Sequence, residues 1–316
     1  MKEGKRMSNS EKLYVLGHPV AHSKSPVMYN AVYPRLGLNW EYGLADCETE
    51  EEALTFLNKR DFLSINITMP YKPHALEVAT ARAASARLAK GANLLVRKGD
   101  LLVAYNTDGQ GCVTYLERCG FAFANKRVAV CGTGPTSLAI LHAAAQAGAA
   151  EVVLLSRDKA KSEAAMQSYL DDFSLLAHAT IDLPAAKSHH RSFRETYDEC
   201  VFKFGSYATS HKAIVAADLI IDATPLGMKE GDPAPFDIEL LHEGQFVLDV
   251  VYGHGETALA QGAHRAGCAF MDGAGMLVGQ AVVTAEIVCD IAGVDLSLSA
   301  DDMFALMAQA AQFDID

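Results

Sequence analysis

The sequence is short of positive charge, of paired cysteines and of long apolar runs, and each shortage removes a class of protein. Lysine and arginine total 27 against 39 aspartates and glutamates, a net charge of −12 over 316 residues. A nucleic-acid binder needs basic stripes to neutralise phosphates, so that class is set aside. The seven cysteines (Cys47, Cys112, Cys119, Cys131, Cys200, Cys268, Cys289) are an odd number without a CxxC pair. No zinc ribbon, redox motif or disulfide framework is expected from them. No apolar run is expected to reach the roughly 18–20 residues of a membrane span. The N-terminal MKEGKRMSNSEK is polar and charged, unlike a signal peptide, and reads as a loose tail. These features point to a reducing, cytoplasmic setting with no membrane, metal or nucleic-acid partner. Half of the residues are apolar, which suits a globular chain long enough for two domains.

Short β-like runs alternate with helical patterns, the mark of an α/β protein. Strands are expected at 13–16, 40–45, 63–68, 93–97 and 101–105, the last two flanking a Lys98-Gly99-Asp100 hairpin turn. Ser25 before Pro26 reads as a helix cap, Glu50–Glu52 as an acidic first turn, and 75–90 as one helix with Glu77, Arg82 and Arg87 solvated. A helix follows Asn106-Thr107-Asp108-Gly109. Residues 127–131, 138–147 and 152–155 form a βαβ unit of about 30 residues, the length a parallel crossover needs. Residues 170–215 have no steady period, and His189-His190 with Arg191 and Arg194 reads as a solvated insertion. Strands return at 218–223 and 246–251. Helices are expected at 257–266 and 276–292, with a last one from Ser299, where Asp302 completes a capping box.

Two groups of residues carry chemistry. The turn Gly132-Thr133-Gly134-Pro135-Thr136-Ser137 lies between a strand and a helix, where glycines let a pyrophosphate approach a helix N-terminus. Ser137 replaces the final glycine of that fingerprint and is small enough for close packing. Ser156-Arg157-Asp158 ends the next strand. An arginine there pairs with a ribose 2′-phosphate and an acid accepts from a free 2′-hydroxyl, so NADP is favoured while NAD stays open. The first half holds the other group: His22-Ser23-Lys24-Ser25, then Asn66 to Lys72, Asn93, and Asn106-Thr107-Asp108. Each puts polar side chains where a strand runs out, the edge at which open α/β sheets bind ligands.

In this order and spacing the motifs are specific. Gly17 to Pro26, Asn66-Ile67-Thr68-Met69-Pro70-Tyr71-Lys72, Asn106-Thr107-Asp108-Gly109, Ala223 to Met228, Asp249-Val250-Val251-Tyr252 and Gly273 to Gln280 make the chain resemble a shikimate dehydrogenase from Leu13 to about Gln309. The resemblance implies reversible reduction of 3-dehydroshikimate to shikimate by NADPH, within chorismate and aromatic amino acid biosynthesis. It implies that Ser23 and Ser25 bind the substrate carboxylate. Thr68, Asn93 and Gln280 would hold the ring hydroxyls, Tyr252 would line the site, and Lys72 and Asp108 would flank the reacting C–O group. Gly132, Thr133, Gly134, Pro135, Thr136, Ser137, Ser156, Arg157, Asp158, Thr224 and Gly273 would contact the cofactor. The implied fold is a substrate domain (1–108, completed by 276–316) and a Rossmann-like NADP domain (109–275) with an insertion around 170–212. A monomer or homodimer is expected.

Three features depart from the family pattern. Pro135 removes a backbone N–H from the phosphate loop. Asp158 follows the arginine where threonine is usual, and its charge opposes a 2′-phosphate. The stretch from Arg157 to Thr224 is long, as a surface insertion or an oligomer contact would make it. Two other readings stand beside the first: a quinate/shikimate dehydrogenase using NAD, and a catalytically silent binding protein on the same scaffold. The silent form is expected to lose Lys72 or Asp108, and both are present. The charge excess is expected on outer helices such as the one near Glu48–Glu52, with Lys24, Lys72 and Arg157 at the anion sites.

Overall fold

The computed structural model describes residues 10–179 and 190–315. Most of the expected N-terminal tail and His189 therefore lie outside the described residues. The chain divides into two compact units, one of Met1–Ala86, Gly91–Thr107 and Ala281–Asp316, the other of Arg87–Lys90 and Asp108–Gln280.

In the first unit, β1 (Glu11–Gly17), α1 (Ser25–Val32), β2 (Trp40–Asp46), α2 (Glu50–Lys59) and β3 (Ser64–Ile67) alternate, and β2 and β3 both pair parallel to β1. The acidic first turn of α2 is closed by a Thr49–Glu52 capping box. Ser25 is not a cap. Lys24 holds the cap position without a side-chain bond, and Ser25 is the buried first residue of the helix, its N–H accepted by Ser23 Oγ. The expected helix over 75–90 is three elements: α3 (Lys72–Val78), β4 (Ala81–Arg82) and α4 (Ala84–Ala89). Pairing of Ala81 and Arg82 with Val103 and Ala104 overrides the helix preference of alanine and arginine. Strands β5 (Leu94–Lys98) and β6 (Leu101–Tyr105) form the antiparallel hairpin, with Gly99 at φ +60° in its turn. The six strands run β2-β1-β3-β5-β6-β4.

The second unit opens with α5 (Asp108–Arg118), β7 (Arg127–Cys131), α6 (Pro135–Gln146) and β8 (Glu151–Ser156). Helix α6 begins at Pro135, three residues before the expected start, because proline suits a first helical position. Then come α7 (Lys159–Ala177), α8 (Phe193–Glu199), β9 (Val201–Ser206), α9 (His211–Val215), β10 (Leu219–Asp222), β11 (Phe246–Asp249), α10 (Ala258–Ala266) and β12 (Ala269–Met271). All six strands are parallel in the order β12-β11-β10-β7-β8-β9. Counted from β7 this is 3-2-1-4-5-6, the doubly wound order of dinucleotide-binding sheets, with its switch point between β7 and β10.

The region read as an insertion thus supplies the sixth strand, β9. His190 of the expected pair is not solvated. His190 is 7% exposed and meets Glu117 at 3.2 Å, while Arg191 donates to the Ala149 carbonyl at 2.9 Å. Arg87 is also held: it and Lys90 pair with Asp172 at 2.6 and 2.7 Å. Burial pushes the Asp172 carboxyl up, and these bonds more than offset it, leaving it below the ordinary range.

Helix α11 (Gly273–Ala292) corrects another expectation. Its 20 residues are long and apolar enough to cross a membrane by length and composition, and 67% of the apolar stretch is buried in the protein. It passes from the second unit into the first, where α12 (Ala300–Ala311) follows behind the Ser299–Asp302 capping box.

Candidate active site

The polar residues of the first unit gather where its parallel strands end. Thr68 follows β3 and donates its N–H to the Leu16 carbonyl at 2.9 Å. A Cβ at Gly17 would stand 2.3 Å from Thr68 Cγ2, so only glycine lets the threonine lie against the end of β1. Ser23 lies in the turn between β1 and α1 and Ser25 opens α1, joined by the Ser25 N–H to Ser23 Oγ bond at 3.3 Å. Lys72 opens α3, and its carbonyl accepts the Ala92 N–H at 2.9 Å, beside Asn93. His18 and Asp46, at the ends of β1 and β2, pair at 2.8 Å.

Asn93 sits in a buried polar network. Its Nδ2 donates to Thr107 Oγ1 at 2.9 Å and its Oδ1 accepts the Thr107 N–H at 2.8 Å. Thr107 Oγ1 shares a 3.2 Å bond with Thr284 Oγ1 of α11, which also accepts from Asn66 Nδ2 at 3.5 Å. Asn66 Oδ1 accepts from the Tyr42 hydroxyl at 2.8 Å. Every member is buried, so each bond satisfies groups that water cannot reach.

In the second unit the phosphate-loop motif stands at the switch point. Gly132 has φ +108°, and a Cβ there would meet Ser137 Oγ at 2.6 Å and the Ala223 carbonyl at 3.1 Å. The loop closes tightly because that atom is missing. Ser137 is fully buried against it, a packing role. Gly134 caps α6 with open space above it, the shape a diphosphate on a helix N-terminus requires. Ser156 Oγ donates to the Asp158 carbonyl at 2.6 Å, and the Asp158 carboxylate accepts the Ala160 N–H at 2.9 Å as the cap of α7. The acid is turned into a helix N-terminus, and Arg157 is exposed beside it. The loop, the switch point and Arg157 together fit a phosphorylated dinucleotide.

Asp108, 6% exposed, begins α5 and accepts a bond from Thr136 Oγ1 at 2.8 Å. Helix α5 is pressed on both neighbours. A Cβ at Gly109 would fall 2.1 Å from the Ala139 carbonyl oxygen of α6, and one at Gly111 would fall 2.3 Å from the Gln280 backbone nitrogen of α11. Gln280 is held in turn by donating Nε2 to the Leu277 carbonyl at 2.9 Å. At Gly273 a Cβ would meet the Val250 carbonyl at 2.0 Å.

Three aspartates lie along the same strand ends, each accepting the N–H two residues on: Asp222 from Thr224 at 2.9 Å, Asp249 from Val251 at 3.0 Å and Asp272 from Ala274 at 3.0 Å. Burial pushes the Asp222 carboxyl up to about 7 and raises that of Asp249. Asp249, Tyr252, Thr257 and Asp272 line one cleft of this unit, and burial raises the Tyr252 phenol. Glu50–Glu52 are exposed on α2, where the charge argument puts part of the acidic excess.

Ser23, Ser25, Thr68, Lys72 and Asn93 thus lie in the first unit. Asp108, Tyr252, Gln280 and all the cofactor-loop residues lie in the second. The sequence reading misses Thr284 and the roles of Asn66, Thr107, Asp222 and Asp249. Four of these five stand at strand ends or just beyond, the signal that finds the others, whereas Thr284 lies inside an apolar helix.

Residues 15–95 match the model of the shikimate dehydrogenase substrate binding domain. A shikimate dehydrogenase (NADP(+)) of Geobacter metallireducens is 31% identical over 273 residues, 85% of this chain and 87% of that protein. The shikimate 5-dehydrogenase of Thermus thermophilus, solved with NADP(H) and shikimate, superposes with a TM-score of 0.74 at 22% identity, covering 95% of this chain and 99% of its own. The quinate dehydrogenase of Corynebacterium glutamicum, solved with NAD, has a TM-score of 0.73 at 22% identity, with the same coverage. At that identity the two structures speak for the fold. The sequence match, over most of both chains, establishes that this protein belongs to the shikimate dehydrogenase family.

Proposed function

We propose that the protein is a cytoplasmic NADP-dependent shikimate dehydrogenase, reducing 3-dehydroshikimate reversibly to shikimate for aromatic amino acid biosynthesis. The observation that carries this reading is the presence of both Lys72 and Asp108 within their motifs in a chain of this family. In this reading Ser23 and Ser25 hold the substrate carboxylate, and Thr68, Asn93 and Gln280 hold its ring hydroxyls. The second unit takes the cofactor through the backbone of the Gly132–Ser137 loop, Ser156, Arg157, Thr224 and Gly273. When bound, the reduced nicotinamide supplies the hydride.

Hydride addition leaves negative charge on the former carbonyl oxygen. Lysine is cationic at neutral pH, so Lys72 gives that oxygen a proton and stabilises its charge beforehand. Asp108 accepts a hydrogen bond from the substrate hydroxyl and orients it. The capping bond from Ala160 to Asp158 supports NADP over NAD, since it engages the acid and leaves Arg157 to meet a 2′-phosphate.

The test is an assay at the absorbance band of reduced nicotinamide, with shikimate or quinate crossed against NADP or NAD. Fastest turnover is expected with shikimate and NADP. Activity only with quinate and NAD overturns both choices, and silence in all four combinations favours the binding-protein alternative.

A further inference from the structure

The phosphate-loop motif puts Thr136 among the cofactor contacts, yet its hydroxyl is engaged elsewhere. Thr136 Oγ1 donates to Asp108 Oδ2 at 2.8 Å. We infer that Thr136 is a positioning residue for the substrate chemistry: it fixes one oxygen of the Asp108 carboxylate and so sets the direction in which the carboxylate meets the substrate hydroxyl. This rests on the role of Asp108 in the proposed function.

Two observations make the bond more than a passing contact. Asp108 is 6% exposed, so water is a poor substitute for a lost donor, and a hydrogen bond to a buried carboxylate oxygen is of the strong, charge-assisted kind. The start of α5 is also locked against α6. A Cβ at Gly109 would stand 2.1 Å from the Ala139 carbonyl oxygen, 2.6 Å from its carbon and 3.0 Å from Ala143 Cβ. Packing of this closeness holds the threonine and the carboxylate at one separation. The first turn of the nucleotide-loop helix and the first residue of α5 therefore move as one piece, and the orientation of Asp108 is set by the element that takes the cofactor.

Valine at 136 keeps the branched shape and removes only the donor. Thr136→Val is expected to lower kcat for shikimate oxidation about tenfold, as a misdirected reacting group does. The calorimetric Kd for NADP should stay close to that of the wild type, the melting temperature should fall by a few degrees for the lost buried bond, and Thr136→Ser should restore most of kcat and of the melting temperature. An unchanged kcat overturns the inference. So does weaker NADP binding at unchanged kcat, which makes Thr136 a cofactor contact, or a lowered melting temperature with no recovery in Thr136→Ser, which makes its role structural. A wild-type protein inert toward shikimate overturns the functional reading itself.

Discussion

Asn93 and Thr107 hold each other through two hydrogen bonds, Asn93 Nδ2 to Thr107 Oγ1 at 2.9 Å and the Thr107 N–H to Asn93 Oδ1 at 2.8 Å. The pair joins the start of β5 to the residue preceding Asp108, and Thr284 of α11 closes it from the other side. A side chain proposed to read a ring hydroxyl is thus aimed by a network rather than by its own rotamer preference.

Thr284→Val removes the hydroxyl shared by Thr107 and Asn66, which is 1% exposed. Leaving two buried groups short of a partner should cost about 1–3 kcal/mol in denaturant unfolding. It should also raise KM for shikimate more than it lowers kcat. Thr284→Ser should recover both, and a valine variant with the wild-type KM would remove Thr284 from the site.

Asp222 gives a stability effect with a definite sign. Burial is the main cause that lifts its carboxyl to about 7, with Asp249 on the next strand adding to it. The raised value means that the folded state keeps the proton which the unfolded chain loses from about pH 3.9 upward. Stability from this group is therefore complete in acid and is lost as pH rises to about 7. Asp222→Asn keeps an oxygen for the Thr224 N–H and should be more stable than the wild type above about pH 7, by at least about 1 kcal/mol, with the advantage shrinking in acid. Urea unfolding of both proteins across pH checks this, and equal stability at high pH contradicts it.

His142 acts in the opposite sense. It lies among Tyr169, Phe173 and Phe193 with Nδ1 on the Tyr169 hydroxyl at 2.8 Å, and burial pushes it down to about 3. The unfolded chain takes up a proton near pH 6.5 and the folded one does not, so stability present above that value falls as pH drops toward about 3. His142→Phe should flatten the acid slope of the unfolding free energy by up to about 1.4 kcal/mol per pH unit. An unaltered slope would mean that the ring protonates in place.

Most of the strands and the strand-end chemistry could be read from residues, because buried parallel strands are continuous apolar runs and their ends carry the polar motifs. The losses have physical causes. Strand β9 sits at a sheet edge with Val201, Lys203 and Phe204 exposed, so it shows neither an apolar run nor a clean alternation. Helix α7 did carry a signal past residue 170: Ser162, Met166, Tyr169, Phe173 and Ala177 are its buried stripe at helical spacing, obscured by the charges between them. Ala81–Arg82 is a strand only because β6 pairs with it. The aim of Thr136 at Asp108 depends on how closely two helices pack, which no local pattern records. Gly109 alone hinted at it.

The account's central claim is that Lys72 donates the proton in reduction of the ketone, and the most direct measurement is the steady-state kinetics of Lys72→Ala. Loss of a contact made mainly in the transition state should cut kcat at least about 10²-fold while KM for shikimate changes little. A kcat equal to that of the wild type would contradict the assignment.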